Sequence, residues 1–461
     1  MSTTIQSAPI ARHSQTNRVI LHAAISVGAA GLVVKAVATC KEIAVAGVFG
    51  RSDAMDAFLA AALIPSLLVN LIAESMNQAL VPTLIAVRER EGKEAAQRLL
   101  SSAMLWLGGL LTVASGAMAL ATHWIFPLIA SHFEPEKLAL SIRLFYGLLA
   151  IVPLTGIATL CTSVLNTVDR FTLPALAPIV ISVSIVAGAL MLGPRLGIWA
   201  LVYATLAGTF AHACIVATMM HRNGYRFSLR WHGMTPAVAQ VGRQYGPVLL
   251  SGVVASGGLL VDQSMAAMLA AGSVSALVYA NRFVSVVLAL LAGTISTAIV
   301  PPAARLIAHE DWNGCRAMLR TWVLNVLAVS VPIAILLIAG ARPLIRIALQ
   351  HGAFGPRDTA VVARVLAMFA IQIPFFAASR VFYRFLVAML RTDLVFYCGL
   401  INLGLDVVLD LVLMRWYGVA GIALASSLWT ISTFAFLWYW AKKVLARAES
   451  EGTAARMEVE G

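Results

Sequence analysis

A few charged and amide side chains sit inside long apolar runs, and these are the residues whose types and spacing could do chemistry. The run 19–48 holds Lys35, Lys41 and Glu42, and 54–86 holds Asp56, Asn70, Glu74 and Asn77. Asp262 lies in 245–270, Asn281 and Arg282 in 275–307, Arg380 and Arg384 in 360–389, and Asp406 and Asp410 in 394–414. A charge at the centre of a bilayer costs roughly 2.5–3.5 kcal/mol on insertion scales, so each needs a partner, a water-filled cavity or a ligand. Arginine offers a planar fork to phosphate and lysine a point charge, so cations around an internal cavity suit an anionic substrate.

Spacing sorts these residues. At about 100° per residue, Asn70 lies roughly 40° from Asp56, Glu74 returns to the same meridian, and Asn77 is roughly 60° off. The second run therefore bears one polar stripe, which faces a cavity or a partner helix. Lys35 and Glu42 share a face of the first run, while Lys41 points elsewhere. A cavity between two lobes would then hold Lys35, Asp56 and Glu74 from one lobe and Arg282 from the other. The competing reading pairs Lys35 with Glu42 or Asp56 as a structural link. Glu42, Asp56 and Glu74 are candidate coupling acids. Arg380 and Arg384 are one turn apart, as are Asp406 and Asp410, which reads as two ion pairs between neighbouring helices. Asp262 reads as interfacial.

The elements that must carry these residues follow from composition. The chain has 461 residues, 60% hydrophobic and 12% charged, with a formal charge of +12. Soluble domains carry about 25% charged residues, so a soluble enzyme, a disordered chain and a nucleic-acid binder are excluded. A bilayer core needs about 20 apolar residues per helix. Twelve runs qualify: 19–48, 54–86, 99–122, 139–166, 174–193, 197–220, 245–270, 275–307, 318–340, 360–389, 394–414 and 418–441. Pro65, Pro153 and Pro374 fall inside them and predict kinks. With a cytoplasmic N-terminus, nineteen Lys and Arg fall in inside segments and eight in outside ones, which places both termini in the cytoplasm. The first apolar run is too long for a secretory signal and reads as a span. The loop 221–244 is basic and aromatic, a solvated connector or an interfacial segment. The five cysteines are scattered without a CxxC, so no disulfide framework or zinc site is implied. No Walker, HExxH or GxSxG pattern occurs, and no active site is evident.

Two halves echo each other. ALVP at 79–82 recurs as AIVP at 298–301, Gly197-Ile198 as Gly421-Ile422, and Asp169 as Asp393. The expected fold is all-α and polytopic, with about twelve transmembrane helices in two parallel six-helix lobes around a central cavity, an alternating-access layout. The expected division is a cytoplasmic segment 1–18, lobes 19–220 and 245–443, a basic linker 221–244 and a disordered acidic tail 444–461.

Four stretches, AVAGVFGRSDAMDAF (44–58), SVLNTVDRFTLPALAPI (163–179), GSVSALVYANRF (272–283) and HGAFGPRDT (351–359), resemble the MviN/MurJ family of lipid II flippases. That family lies within the superfamily of multidrug, oligosaccharidyl-lipid and polysaccharide exporters. The resemblance implies a flippase in the bacterial inner membrane. It would move an undecaprenyl-pyrophosphate-linked saccharide to the outer leaflet for peptidoglycan or other envelope glycan synthesis. Partners would then be the lipid-linked saccharide, membrane lipids and cell-envelope synthesis proteins, with no nucleic acid. The family's cationic helix-one positions fall on Lys35 and Lys41, followed by Glu42. Its second-helix acid falls on Asp56, and its helix-eight arginine on Arg282. Asn281 and Asn70 complete the expected substrate-binding set. The departures are lysine for two arginines, Asn281 for aspartate, and Val69 and Asn70 where the family has an arginine pair. The family usually has fourteen helices, against twelve runs here. These departures favour, as an alternative, an exopolysaccharide or O-antigen repeat unit as substrate; a cation-coupled drug exporter and a non-transporting scaffold are the other readings. No cofactor is expected, and a monovalent cation or the membrane potential is the candidate driver.

Overall fold

The computed structural model describes residues 8–130, 133–168 and 170–460, and describes side chains within 28–450 except at 128, 129, 251, 254, 255 and 297. Among the described residues there are twelve long helices and no strand: α1 Ala8–Phe49, α2 Asp53–Glu91, α3 Lys93–Ile129, α4 Pro135–Thr167, α5 Thr172–Met191, α6 Trp199–Arg222, α7 Pro236–Ala267, α8 Ser273–Ala308, α9 Trp312–Ala339, α10 Pro356–Ala388, α11 Thr392–Tyr417 and α12 Val419–Glu460. Ten of these, all but α1 and α7, are long and apolar enough to cross a membrane among the described residues. With backbone polar groups paired inside each helix, this is one of the two architectures a bilayer tolerates.

The prolines break the helices at identifiable places. α4 turns between Leu148 and Ile151, and α10 between Ala370 and Gln372. Each break lies just before its proline, Pro153 or Pro374, where the ring would meet the carbonyl four residues back. α2 behaves differently. Its irregularity follows Pro65, as a wide i→i+5 turn over Val69–Glu74.

The helix starts repeat. α2 to α6 begin at Asp53, Lys93, Pro135, Thr172 and Trp199, and α8 to α12 at Ser273, Trp312, Pro356, Thr392 and Val419, each about 220 residues later. ALVP and AIVP fall on the equivalent helices α2 and α8. The Gly197-Ile198 echo needs a shift in register: Gly197 and Gly418, not Gly421, share one backbone conformation, φ 56 with ψ −138 and −137. Asp169 lies outside the described residues.

Packing follows the duplication. α5 packs on α1 and α6, and α6 on α4, within the N-terminal half; α12 packs on α10 and α11, and α10 on α8 and α9, within the C-terminal half. The hydrophobic core is threefold. One cluster, with Ala46, Met55, Tyr279, Ile345 and Phe354, joins both halves at the end where α1 stops and α2 and α8 start. At the opposite end the cores separate. One holds Leu84, Leu100 and Val164 of the first half with Val241 and Tyr245 of α7, and the other Ile299, Cys315, Phe385 and Leu445 of the second half. The halves are thus sealed at one end and split at the other.

Two segments differ from expectation. The acidic tail from 444, read as disordered, continues α12 to Glu460; its Ala, Glu, Arg and Met are strong helix formers, which a charge-based reading overlooks. Of the N-terminal segment 1–18, residues 1–7 lie outside the described residues and the rest is already helix α1.

α5 and α6 touch at Gly208, where a Cβ would come within 2.9 Å of Ile181 Cα and of Ser184 Cβ. Gly208→Val is expected to lower stability by about 1–3 kcal/mol through overpacking, read as a fall in Tm in detergent. Gly404→Ala, with nothing within 4 Å, serves as the control and is expected to hold or raise Tm.

Candidate functional site

At the sealed end the N-terminus of α8 is capped by a carboxylate from the other half. Asp56 of α2 is buried, and it accepts from the Gly272 N–H (2.7 Å, Oδ2) and the Ser275 N–H (2.9 Å, Oδ1). The first N–H groups of a helix have no partner within it, and the helix dipole favours an anion there, so Asp56 meets both needs at once. Lys137 of α4 sits 3.3 Å from Asp56 and 2.6 Å from Asp53. Around this cap, Arg51 donates to the Gly272 carbonyl (2.9 Å) and pairs with Asp358 (3.2 Å). Tyr279 Oη donates to the Gly50 carbonyl (3.1 Å), and the Ala353 N–H to the Gly47 carbonyl (2.8 Å). The chains approach so closely here that a Cβ on Gly352, already at φ +59, would lie 2.1 Å from the Gly47 oxygen. Three of the four stretches that carry the family resemblance, 44–58, 272–283 and 351–359, converge in this latch.

One pair beyond the latch is charged on both sides of the interface. Glu42 of α1 is buried, and its Oε1 takes Arg282 Nη2 of α8 at 2.9 Å and Lys41 Nζ at 2.9 Å. Lys35, two turns further towards the split end, is half-buried and has no ion pair among the described residues. Lys41, Glu42 and Arg282 are thus brought together, although the helical face had set Lys41 apart from Glu42, and Lys35 pairs with neither Glu42 nor Asp56.

Other expectations are revised. Asp56 and Glu42 are committed to interface contacts and are not free cavity acids. Asn70 turns to α4, as Asp56 does, and lines a cavity in the first half with Ser66, Thr155 and Thr205. The stripe on α2 therefore faces a partner helix. Glu74, at the end of the wide turn, is exposed and has no ion pair among the described residues. Arg380 and Arg384 do not pair with Asp406 and Asp410. Arg384 donates to Ser296 Oγ of α8 at 3.0 Å, and Arg380 stacks on Phe376 at 4.6 Å. The reason is geometric: α10 presents Arg384 to α8 and holds Arg380 against its own Phe376 and Tyr383, while α11 presents its acids to α7.

Those acids meet Asp262, which is no interfacial residue. Asp262, Asp406 and Asp410 place one carboxylate oxygen each within 4.8 Å of the others. Asp262 Oδ2 accepts from Ser426 Oγ at 3.2 Å, while Asp262 Oδ1, Asp406 Oδ1 and both oxygens of Asp410 are buried without a hydrogen-bond partner. The adjoining cavity, about 310 Å3, is lined also by Asn281, Asn402, Gln372 and Trp429. Asn281 therefore belongs to this cavity and not to the Arg282 cluster. Three carboxylates at this spacing repel one another and need a shared proton or a cation. An all-oxygen donor set around orphaned carboxylates fits a hard cation. Sequence spacing could not find the triad, because Asp262 is far from Asp406 in the chain. The one available signal was an acid on each of two apolar runs with no nearby cation.

Comparison with known proteins agrees with this geometry. Residues 45–458 match the family model described as lipid II flippase MurJ. A curated relative, the lipid II flippase MurJ of Burkholderia cenocepacia, is 28% identical over 76% of this chain and 70% of its own length. Among solved structures, lipid II flippase MurJ in an inward closed conformation superposes with a TM-score of 0.78 at 22% identity, covering 92% of this chain and 90% of that one. An inward-facing multidrug resistance MATE transporter of the MOP superfamily gives 0.71 at 13% identity, over 93% and 99%. These likenesses establish the fold.

Removing the carboxylate of Asp56 strands two buried N–H donors, each costing about 1–3 kcal/mol, and should loosen the latch. In a cysteine-free background, Ala280→Cys, fully buried in the sealed core, is expected to react with a hydrophilic maleimide roughly tenfold faster when Asp56→Ala is added. An unchanged rate would show that the latch closes without the cap.

Proposed function

The chain belongs to the lipid II flippase MurJ family, and we propose from this premise that it flips a polyprenyl-pyrophosphate-linked saccharide of the lipid II class across the bacterial inner membrane by alternating access. It is a multi-pass helical membrane protein, and its family is one of flippases for lipid II, a peptidoglycan precursor, which supports a transporter over a catalyst. The observation that carries the mechanism is the Lys41–Glu42–Arg282 cluster, which spans the two halves beside the sealed end. A pyrophosphate entering between the halves competes with the Glu42 carboxylate for the same two cations. Its greater charge and the fork of Arg282 favour the substrate, and releasing Glu42 removes a bond that holds the halves together. Lys35, Arg380 and Arg384 are half-buried cations with no acid partner among the described residues, which supports an anionic cargo over a cationic drug.

The bias of Lys and Arg supports termini on the cytoplasmic side. On that orientation the sealed end faces outwards and the split end receives substrate from the cytoplasm. The Asp262–Asp406–Asp410 triad is the candidate seat of a coupling cation, held by acids of α7 and α11, so that its charge acts without touching the pyrophosphate. This reading replaces Glu42, Asp56 and Glu74 as the coupling acids.

The test is complementation in a bacterium whose own lipid II flippase can be switched off, with membrane insertion measured in parallel. The wild-type chain should restore growth. Arg282→Ala should insert and fail, and Asp406→Asn should lose any dependence of flipping on a cation gradient. Rescue by Arg282→Ala would remove the pyrophosphate role, and no rescue by a well-inserted wild type would move the substrate to another lipid-linked glycan.

A further inference from the structure

On the outer flank of the second half, away from the latch and the acid triad, α9 and α12 border a groove of about 550 Å3. Its lining is graded along its length. Arg316 and Arg320 lie near the start of α9 and Lys442 near the matching end of the apolar part of α12. One to two turns further into the span the lining becomes Leu324 on α9 and Phe434 on α12, with Phe382 of α10 on the floor. Because the two helices run in opposite directions, both pass from charged to apolar the same way, over roughly 12 Å.

The cations are unequally committed. Arg316 is already paired with Glu449. Among the described residues, Arg320 is exposed without an acid partner, and Lys442 has a cation–π contact with Trp438, Nζ 4.0 Å from the ring centroid, and no acid partner. Trp438 and Tyr439, 42% and 55% exposed, stand beside this end as aromatic residues do at a membrane interface. The groove is therefore built for one kind of molecule, an amphiphile with an anionic head and an apolar chain. Uncommitted positive charge sits where headgroups lie, and apolar surface where acyl carbon begins.

We propose that this α9–α12 groove is a binding site for an anionic phospholipid of the surrounding membrane, with Arg320 and Lys442 on the phosphodiester headgroup and one acyl chain along Leu324 and Phe434. Its lining shares no residue with the Lys41–Glu42–Arg282 cluster or the acid triad, and the proposal does not depend on the substrate assigned above.

Native mass spectrometry of the full chain in detergent, titrated with phosphatidylglycerol and with phosphatidylcholine of matched chains, tests it. The wild type should retain one phosphatidylglycerol in preference to phosphatidylcholine. Arg320→Ala with Lys442→Ala should weaken that binding roughly 30-fold, at about fivefold for each cation. Leu324→Trp, which fills the groove and leaves the cations in place, should weaken it as well. Arg230→Ala, a cation of the interlobe linker, should leave it unchanged. Equal retention of both lipids by the wild type, undiminished phosphatidylglycerol binding by the double variant, or displacement by an equimolar polyprenyl phosphate would overturn the proposal.

Discussion

The bond on which this architecture turns is the one between Asp56 and the N-terminus of α8. A helix start buried inside a protein leaves N–H groups that its own chain cannot satisfy. In this protein their acceptor belongs to the other half of the molecule. The halves cannot part at that end without exposing both the donors and a buried carboxylate, together with the lysine that balances it. The same contact is polar, unlike the separate apolar cores at the opposite end, so it can be exchanged for water when the sealed end opens. A wholly apolar seal would offer no such exchange.

From that seal the rest of the geometry follows. With one end shared and the other split, the cations of α1 and α8 come to lie just inside the closed end. There Glu42 holds Lys41 and Arg282. The duplicated helix order gives each half its own rigid packing, so motion concentrates at the interface. The acid triad lies between α7 and α11, and α7 also packs on α2 of the first half, so the triad sits on a helix that touches both halves. The basic cluster of α1 and α8 and the acid triad are thereby two separate groups of charge.

Apolar length and period made the helices legible in the sequence, because a bilayer admits so few alternatives. Each of the twelve runs coincides with one of the twelve long helices, six of them overrunning an end by one to three residues, and the proline breaks of α4 and α10 lie where steric clash requires. Burial cost alone also picked out Lys41, Glu42, Arg282 and Asp56. It could not say what each would touch, since helical spacing resolves neighbours on one helix but not partners across two. Hence the arginines of α10 were matched with the nearest acids in sequence, whereas those acids turn to Asp262. Likewise the polar stripe of α2 was legible as a stripe, but the wide turn over Val69–Glu74, invisible to a constant period, removes Glu74 from it. The latch residues Arg51, Lys137 and Asp358 stand outside the apolar runs, so an argument from membrane cost passes over them.

The account's central claim is that transport requires the sealed end to open. The direct measurement is flipping by reconstituted protein carrying Arg51→Cys and Asp358→Cys in a cysteine-free background, before and after treatment with a short bis-methanethiosulfonate, which joins the two thiols through reducible disulfides. These positions face each other across the latch. The account predicts that cross-linking stops flipping and that reduction restores it. Cross-linked protein that flips lipid as fast as the untreated sample would contradict it.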